Sequence, residues 1–75
     1  MKNFAGFIAI NPEIRFGKPC IRGTRITVAD ILQWLASGMS YSKVLEDYPL
    51  LKQEDILAAL AYAANRESII KIISA

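Results

Sequence analysis

Apolar residues recur at helical spacing in three successive segments, and this pattern constrains the fold more than any other feature of the chain. Residues spaced i, i+3, i+4, i+7 lie along one face of an α-helix, which suits a helix that packs one side against a core. The three sets are Val28, Ile31, Leu32 and Leu35; Tyr41, Val44, Leu45 and Tyr48; and Leu57, Leu60, Ala61 and Ala64. We therefore predict three amphipathic helices joined by short connections, with a tight helix–turn–helix arrangement for the last two.

Residues with strong preferences for helix ends delimit the first two helices. Thr27 is a good N-cap for the first helix, and Asp30, three residues later, completes a variant of the capping box. Gly38 is the expected stop because glycine adopts the left-handed conformation common at helix C-termini. Ser40 is the expected N-cap of the second helix, and Pro49 prevents that helix from continuing.

The segment before the first helix has β character. Residues 7–10 form a β-prone run that an Asn-Pro pair ends. Residues 13–21 form a second extended candidate, in which Ile14 and Phe16 alternate with polar neighbours and Gly17 suits a bulge or turn. We predict a mainly α fold, a three-helix helix–turn–helix bundle with a small N-terminal β element. Many small DNA-binding domains share this architecture.

The length of 75 residues allows at most one domain. We divide it into a β element with a basic turn (residues 1–26), a three-helix body (27–65) and a C-terminal helical extension (66–75). A chain this short buries only a modest core, yet 53% of its residues are apolar. We therefore expect some of this apolar surface to contact a partner or a second copy.

Cysteine content and the terminal sequence indicate the compartment. Cys20 is the single cysteine, so the chain has no internal disulfide, which suits a reducing environment. The first ten residues carry a Lys and a short apolar run, but they lack the longer apolar core and the cleavage site of a signal peptide. No apolar run approaches the ~20 residues that a membrane helix needs. We predict a soluble, cytoplasmic protein.

Residue types required for common catalytic chemistry are missing. The chain contains no His, so it lacks the commonest general base and any Ser–His or Cys–His pair. One Cys without His does not make a zinc site. The adjacent carboxylates at 46–47 and 54–55 point in different directions on a helix and are typical of solvated faces. We predict a non-enzymatic protein without a metal or other cofactor.

Basic residues are concentrated in the first third of the chain. Residues 1–26 contain five basic side chains against one acidic side chain, whereas residues 27–75 contain four against six. The third helix takes the recognition position of a helix–turn–helix, but it begins with Gln53 followed by two carboxylates, and carboxylates repel DNA phosphates. If the protein binds DNA, we expect the basic residues of the first third of the chain to make most of the phosphate contacts.

Three cations flank a glycine just before the first helix. Lys18, Arg22 and Arg25 surround Gly23, which tolerates the positive φ of a tight turn. Cations beside a small donor such as Thr24 suit phosphate oxygens or another acidic surface. A solvated turn that keeps cations out of the core is the alternative, and spacing leaves both open. The candidate DNA-binding set is Arg15, Lys18, Arg22, Thr24, Arg25, Lys52 and Gln53.

Four isoleucines near the C-terminus form a candidate partner-binding surface. Ile69, Ile70, Ile72 and Ile73 cannot all lie on one side of a helix. Their segment either extends the third helix or forms a fourth, and they pack either inside the fold or against a partner protein or a second copy. We predict no membrane binding, because Lys71 is the only nearby cation on that face.

Four short motifs resemble a known family. The chain carries GKP at residues 17–19, IRGTR at 21–25, YP at 48–49 and ALAY at 59–62. In this combination, over about residues 7–65, the chain resembles the bacterial and archaeal domain-of-unknown-function family numbered 433. The resemblance implies a homeodomain-like helix–turn–helix fold with a small N-terminal β element.

The resemblance also implies a function, a VapB-like antitoxin that blocks a PIN-like ribonuclease toxin and represses its own operon by binding operator DNA. A dimer is expected, since such operators usually match a two-fold axis. Two alternatives stay open: a pure protein-interaction module whose basic turn enters the acidic active site of a nuclease, and a free-standing DNA-binding regulator. The family usually caps the last helix with Ser or Thr, and Lys52 there weakens the cap by ~1 kcal/mol while adding a cation beside the helix.

Overall fold

The chain folds as three helices joined to a small two-stranded β element, as the sequence predicts. The computed structural model describes the backbone of residues 5–74 and the side chains of residues 6–65. The elements, in chain order, are a 3₁₀ turn at Ala5–Phe7, strand β1 at Ile8–Ala9, a second short turn at Arg15–Gly17, strand β2 at Cys20–Ile21, and helices α1 at Val28–Ala36, α2 at Tyr41–Asp47 and α3 at Gln53–Ser74.

Helix α1 has the two ends that the sequence predicts. The Thr27 hydroxyl accepts a hydrogen bond from the Asp30 N–H at 2.9 Å, and the Asp30 carboxylate accepts one from the Thr27 N–H at 3.1 Å. These reciprocal bonds form a capping box and satisfy donors that the helix itself leaves unpaired. Ser37 is the C-cap, and Gly38 follows with φ of +101°, a conformation that glycine adopts without a side-chain penalty.

Helix α2 is capped and then stacked against α1. The Ser40 hydroxyl accepts the Lys43 N–H at 3.1 Å, which confirms the predicted N-cap. The ring of Trp34, from α1, stacks on the ring of Tyr48 with centroids 4.0 Å apart and an angle of 9° between the ring planes. This aromatic pair joins α1 to the end of α2. Tyr41, which the helical pattern places on the buried face, is exposed.

Helix α3 starts with half of a capping box. The Asp55 carboxylate accepts the Lys52 N–H at 2.8 Å, which is the bond that the third helical residue supplies. A lysine side chain has no acceptor atom, so the reciprocal bond from the cap side chain cannot form. Lys52 in place of Ser or Thr therefore leaves α3 with one of the two capping-box bonds.

The core lies where α1, α2, α3 and β2 meet, and α3 packs mainly against α1. Each fully buried aliphatic side chain contributes roughly 1.5–3 kcal/mol of transfer free energy. The buried cluster consists of Ile21, Val28, Ile31, Val44, Leu51, Ile56 and Ala59.

The buried face of α3 is shifted by one position from the predicted one, although Leu60 packs against the core as predicted. Ala61 and Ala64 are exposed, whereas Ile56 and Ala59 lie in the core. Two registers satisfy the same helical spacing, one that begins at Ile56 and one that begins at Leu57, so periodicity does not separate them. Packing against α1 selects the register that begins at Ile56, because it buries Ile56 completely and brings the small Ala59 to the contact.

Strands β1 and β2 pair antiparallel, with Ile8 opposite Ile21 and Ala9 opposite Cys20. Two further backbone bonds tie β2 to the helical body, since the Val28 N–H donates to the carbonyl that precedes Cys20 and the Ile21 N–H donates to a carbonyl just before α1, both at 2.9 Å. The β element is thus joined to the start of α1 through the backbone itself.

Residues 13–17 do not form the predicted extended segment. Arg15, Phe16 and Gly17 instead have left-handed φ angles of +50°, +59° and +79°, and Phe16 is 97% exposed. The left-handed region costs a non-glycine residue roughly 1–2 kcal/mol, so this turn needs support from elsewhere. The alternation of Ile14 and Phe16 is misleading because Arg15 makes hydrogen bonds to residues ten and fifteen positions away.

Candidate nucleic-acid and partner interface

The basic turn, defined as residues 18–25, is built around a tight turn at residues 21–24. The Thr24 N–H donates to the Ile21 carbonyl at 3.0 Å, and Gly23 has φ of +80°. Positive φ at the third residue is the type II arrangement, which confirms the turn predicted at Gly23. A Cβ at Gly23 would meet no atom within 4 Å, so backbone conformation and not space requires glycine here.

The hydroxyl of Thr24 is used inside this turn. It donates to the Ile21 carbonyl at 2.9 Å and accepts the Ile26 N–H at 3.0 Å. Both bonds close the turn on itself, so Thr24 shapes the backbone that carries the neighbouring cations. A contact between the Thr24 hydroxyl and a phosphate stays a prediction. Such a contact would compete with the two hydrogen bonds that the hydroxyl makes inside the turn.

Arg15 also acts inside the protein. Its Nη1 donates to the Arg25 carbonyl at 2.8 Å and lies 3.2 Å from Oδ2 of Asp30. That carboxylate belongs to the capping box of α1, so one guanidinium joins the left-handed turn, the basic turn and the start of α1. We call Arg15, Thr27 and Asp30 the Arg15 network. It supports the strained turn and leaves Arg15 less available to an external phosphate.

The Arg15 network changes the acidity of Asp30. Burial raises the pKa of the Asp30 carboxyl, but hydrogen bonds from Thr27 and the adjacent Arg15 guanidinium outweigh burial and hold the pKa below its ordinary value of 3.8. Asp30 is therefore ionised at neutral pH, and its charge is matched by that of Arg15. The other cations of the segment carry the net positive charge of the basic turn.

The Arg22 guanidinium uses one nitrogen in a hydrogen bond inside the protein and keeps the others for an external acceptor. Its Nε donates to the Gly6 carbonyl at 2.8 Å, and its backbone N–H donates to the Phe7 carbonyl at 2.8 Å. These bonds tie the basic turn to the residues before β1. The guanidinium keeps further N–H groups on an exposed side chain, so Arg22 can still form a two-pronged contact with an anion.

The side chains of Lys18 and Arg25 are more available to an external anion than that of Arg22. Both are exposed, and neither side chain forms a hydrogen bond or ion pair with any residue in the described part of the chain. With Arg22 they give the basic turn three exposed cations on a backbone that internal hydrogen bonds hold in place. Such a surface can bind phosphates, carboxylates or an acidic protein surface.

The two remaining members of the predicted DNA-binding set stand at the start of α3. Lys52 and Gln53 are exposed. The connection before them borders the basic turn, because Leu50 lines the same cavity as Thr24 and Arg25. The structure therefore brings the start of α3 and the basic turn to neighbouring positions.

That cavity is an open groove of about 480 Å³ between the basic turn and the α2–α3 connection, and we call it the turn groove. Pattern analysis of the sequence missed it because its lining comes from separate segments and no local signal joins them. Leu50 forms part of its wall and is 73% exposed. Its apolar lining residues are Ala9, Ile14, Cys20, Ile21 and Leu50.

The predicted partner-binding isoleucines, Ile69, Ile70, Ile72 and Ile73, lie outside the residues whose side chains the structure describes, so their contacts stay predictions. Helix α3 runs through their segment. Over the described ranges, no helix combines the length and apolarity needed to cross a membrane. In the same ranges, His, Cys, Asp and Glu side chains form no group that could hold a metal ion.

Comparisons with known proteins agree with the motifs. A family model described as "Protein of unknown function (DUF433)" matches residues 8–63. The uncharacterized protein y4eO of Sinorhizobium fredii is 39% identical over 56 residues, which are 75% of this chain but 25% of that protein, so the chain spans about a quarter of that relative's length.

The fold is shared with a solved structure. The crystal structure of a DUF433 member protein from Anabaena variabilis is 33% identical, superposes with a TM-score of 0.77, and matches over 95% of this chain and 71% of that one. The residues matched by the family model include the basic turn, the Arg15 network and the start of α3. The chain therefore belongs to the DUF433 family, which confirms the resemblance drawn from its motifs.

Proposed function

We propose that the chain is a non-enzymatic antitoxin that neutralises a PIN-like ribonuclease toxin and represses its own operon by binding operator DNA in the cytoplasm. The observation that carries the DNA half is the basic turn, where Lys18, Arg22 and Arg25 are exposed on a hydrogen-bonded backbone. The antitoxin half is supported by the family resemblance and not by any contact in the chain.

Electrostatics supports phosphate contact by the basic turn and not by the start of α3 alone. Phosphate contacts supply most of the affinity of non-specific DNA binding and a large share of specific binding. Helix α3 begins beside Glu54 and Asp55, which repel phosphates, while Asp55 already accepts the Lys52 N–H. The basic turn borders this helix start, so it can hold the DNA backbone while α3 lies alongside.

We propose that the protein acts as a homodimer and that its C-terminal isoleucines take part in protein contacts. Helix–turn–helix proteins usually read two half-sites related by a two-fold axis, which a symmetric dimer matches. Apolar side chains at Ile69, Ile70, Ile72 and Ile73 on the last part of α3 supply the surface for a second copy or for the toxin.

A second candidate is a protein-interaction module that neutralises a nuclease without binding DNA. The turn groove favours it, because DNA phosphates gain nothing from apolar side chains such as Ile14 and Leu50, whereas a protein partner does. In this candidate, the cations of the basic turn face carboxylates of the partner and not phosphates.

The salt dependence of DNA binding separates the two candidates. The probe is duplex DNA from immediately upstream of the gene for this chain, titrated at several salt concentrations. Each phosphate neutralised contributes about −0.9 to the log–log slope, so Arg22→Ala with Arg25→Ala should make the slope shallower by about 1.8. Lys43→Ala is the control, because Lys43 pairs with Asp47 on α2 and its loss removes a positive charge elsewhere.

An unchanged affinity and slope in the double variant would refute the DNA role of the basic turn. The toxin half is tested by affinity purification of the tagged chain from its native cells, followed by mass spectrometry. A stoichiometric PIN-like protein, inert as a ribonuclease until this chain is removed, is the expected result. Recovery of the chain with DNA but without a protein partner would refute the antitoxin proposal and leave a free-standing regulator.

A further inference from the structure

We propose that the turn groove is a docking site for an extended, acidic segment of a partner protein that inserts one bulky apolar side chain. The proposal rests on the proposed function in one respect, that the chain has a protein partner, and it assigns a site and a chemistry to that contact. It is independent of the C-terminal isoleucines, and it shares Arg22 and Arg25 with the proposed DNA contact.

The size and lining of the groove call for an apolar anchor. Its volume of about 480 Å³ lies within the range of ~300–1,000 Å³ typical of ligand pockets. Ile14, Ile21 and Leu50 line it, and Leu50 is 73% exposed on the α2–α3 connection. Covering the exposed part of Leu50 with an apolar residue removes that surface from water, which stabilises the complex.

The charge around the groove calls for an acidic segment. Arg25 is the one charged residue among the described residues that line it, and none of those residues is acidic. Arg22 precedes the lining residue Gly23 and is exposed too. A carboxylate placed beside the anchor can therefore form charge-assisted hydrogen bonds with a guanidinium whose side chain has no partner in the described part of the chain.

The same observations disfavour the other occupants. A second copy docked symmetrically, groove against groove, would bring its own Arg25 against Arg25, and like charges across an interface cost affinity. A nucleic acid would match the cations, but its charged phosphates would gain nothing from apolar lining residues such as Ile14 and Leu50. An acidic peptide with an apolar anchor matches both the positive charge and the apolar lining of the groove.

The test is a titration of the ¹⁵N-labelled protein with the blocked peptide DEFLED, followed by NMR, beside the peptides DESSED and KKFLKK. We expect DEFLED to shift the amide signals of Ala9, Cys20, Gly23 and Leu50, and to bind at least about tenfold more tightly than either other peptide, since each control lacks one of the two required contacts. No saturable shift at millimolar DEFLED, or equal binding of DESSED, would overturn the proposal.

Two variants locate the contacts. Leu50→Asn removes an exposed wall residue and should weaken DEFLED binding about tenfold without changing the fold. Arg25→Glu should abolish the preference for DEFLED over KKFLKK and move it toward KKFLKK, whereas Lys43→Glu, the same charge change on α2, should leave the preference intact. A preference that is unaffected by Arg25→Glu would overturn the proposal.

Parallel measurements separate this proposal from its rivals and from the proposed function. Groove amides that shift with an oligonucleotide but not with DEFLED would assign the groove to nucleic acid and overturn the proposal. Groove amides that shift with protein concentration alone would overturn it in favour of a second copy. Co-purification of a toxin that survives both Leu50→Asn and Arg25→Glu would also overturn it while the antitoxin function stands. DEFLED binding without any co-purified partner would support the site and count against the antitoxin.

Discussion

The Arg15 network leads to a quantitative prediction: Asp30→Ala should lower the free energy of unfolding. The Asp30 carboxylate accepts the Thr27 N–H at 3.1 Å and pairs with the Arg15 guanidinium at 3.2 Å. Asp30→Ala removes both contacts and leaves the N–H of Thr27, a residue only 1% exposed, without its acceptor. The variant therefore loses two contacts, the ion pair with Arg15 and the reciprocal capping-box bond, whose N–H donor is buried.

The expected cost is about 2 kcal/mol. Asp30→Ala keeps the Thr27 hydroxyl as the N-cap but removes a carboxylate near the positive end of the α1 dipole, which costs ~0.3–1 kcal/mol. A partly exposed ion pair contributes up to ~1 kcal/mol, and a buried donor left without a partner costs ~1 kcal/mol or more, although these effects overlap. Against the roughly 4–11 kcal/mol expected for the whole chain, such a loss is large. Arg15→Ala should cost less, about 1 kcal/mol, because the capping box of α1 remains.

The cost should depend on pH with a definite sign. The folded-state pKa of Asp30 is held below 3.8, whereas the unfolded carboxyl titrates near its ordinary value. The contribution of the ionised carboxylate is therefore fully present above the unfolded pKa and is lost as pH falls through the lower, folded pKa. The stability difference between the wild type and Asp30→Ala should be constant from pH 6 to 8 and shrink below pH ~4.

Urea denaturation followed by the fluorescence of Trp34 measures this difference, because Trp34 is the single tryptophan and stacks on Tyr48. The double variant of Arg15 and Asp30 completes a thermodynamic cycle, in which the coupling between the two should be ~0.5–1 kcal/mol. A cost below ~0.5 kcal/mol for Asp30→Ala at pH 7, or a cost that is equal at pH 7 and pH 2.5, would refute the role given to the Arg15 network.

Three further substitutions test local features by the same denaturation measurement. Phe16→Asn should raise the free energy of unfolding by up to ~1 kcal/mol, because Asn tolerates the left-handed backbone and the exposed ring loses no packing; an unchanged or lower stability would contradict the strain. Lys52→Ser should stabilise α3 by ~1 kcal/mol by completing its capping box, with Lys52→Ala as the control that adds no acceptor. Gly38→Ala should destabilise by ~1 kcal/mol at its φ of +101°, and a neutral result would contradict the left-handed conformation assigned to the residue after the Ser37 C-cap.

The helix ends were predictable because their signals are local. Thr27 with Asp30, Ser40 and Gly38 each act within a few residues of the end that they define. The face of α3 was not predictable, because registers that begin at Ile56 and Leu57 have equal periodicity and only packing against α1 separates them. Local signals decide where a helix begins, whereas the side that it buries depends on its neighbours.

In the basic turn, too, local features were predictable and contacts with distant residues were not. Gly23 predicted the turn correctly, since positive φ is a local requirement. Which cations bond inside the protein and which stay exposed was not predictable, because Arg15 bonds to the Arg25 carbonyl and to Asp30, which are distant in sequence. The left-handed turn at Arg15–Gly17 depends on these contacts as well, so a strand-like alternation was the stronger local signal there.

The position of Cys20 allows the opening of the β element to be timed separately from global unfolding. Cys20 is buried in β2, and its Sγ donates to the Lys18 carbonyl at 3.3 Å. Cys20 lines the turn groove but is only 4% exposed, so separation of β2 should accelerate labelling by a thiol reagent, and the labelling rate should report the free energy of that opening. If labelling requires unfolding of the whole chain, the rate should track the denaturation free energy across variants. If β2 opens alone, substitutions in the α1–α3 contact should leave the rate unchanged.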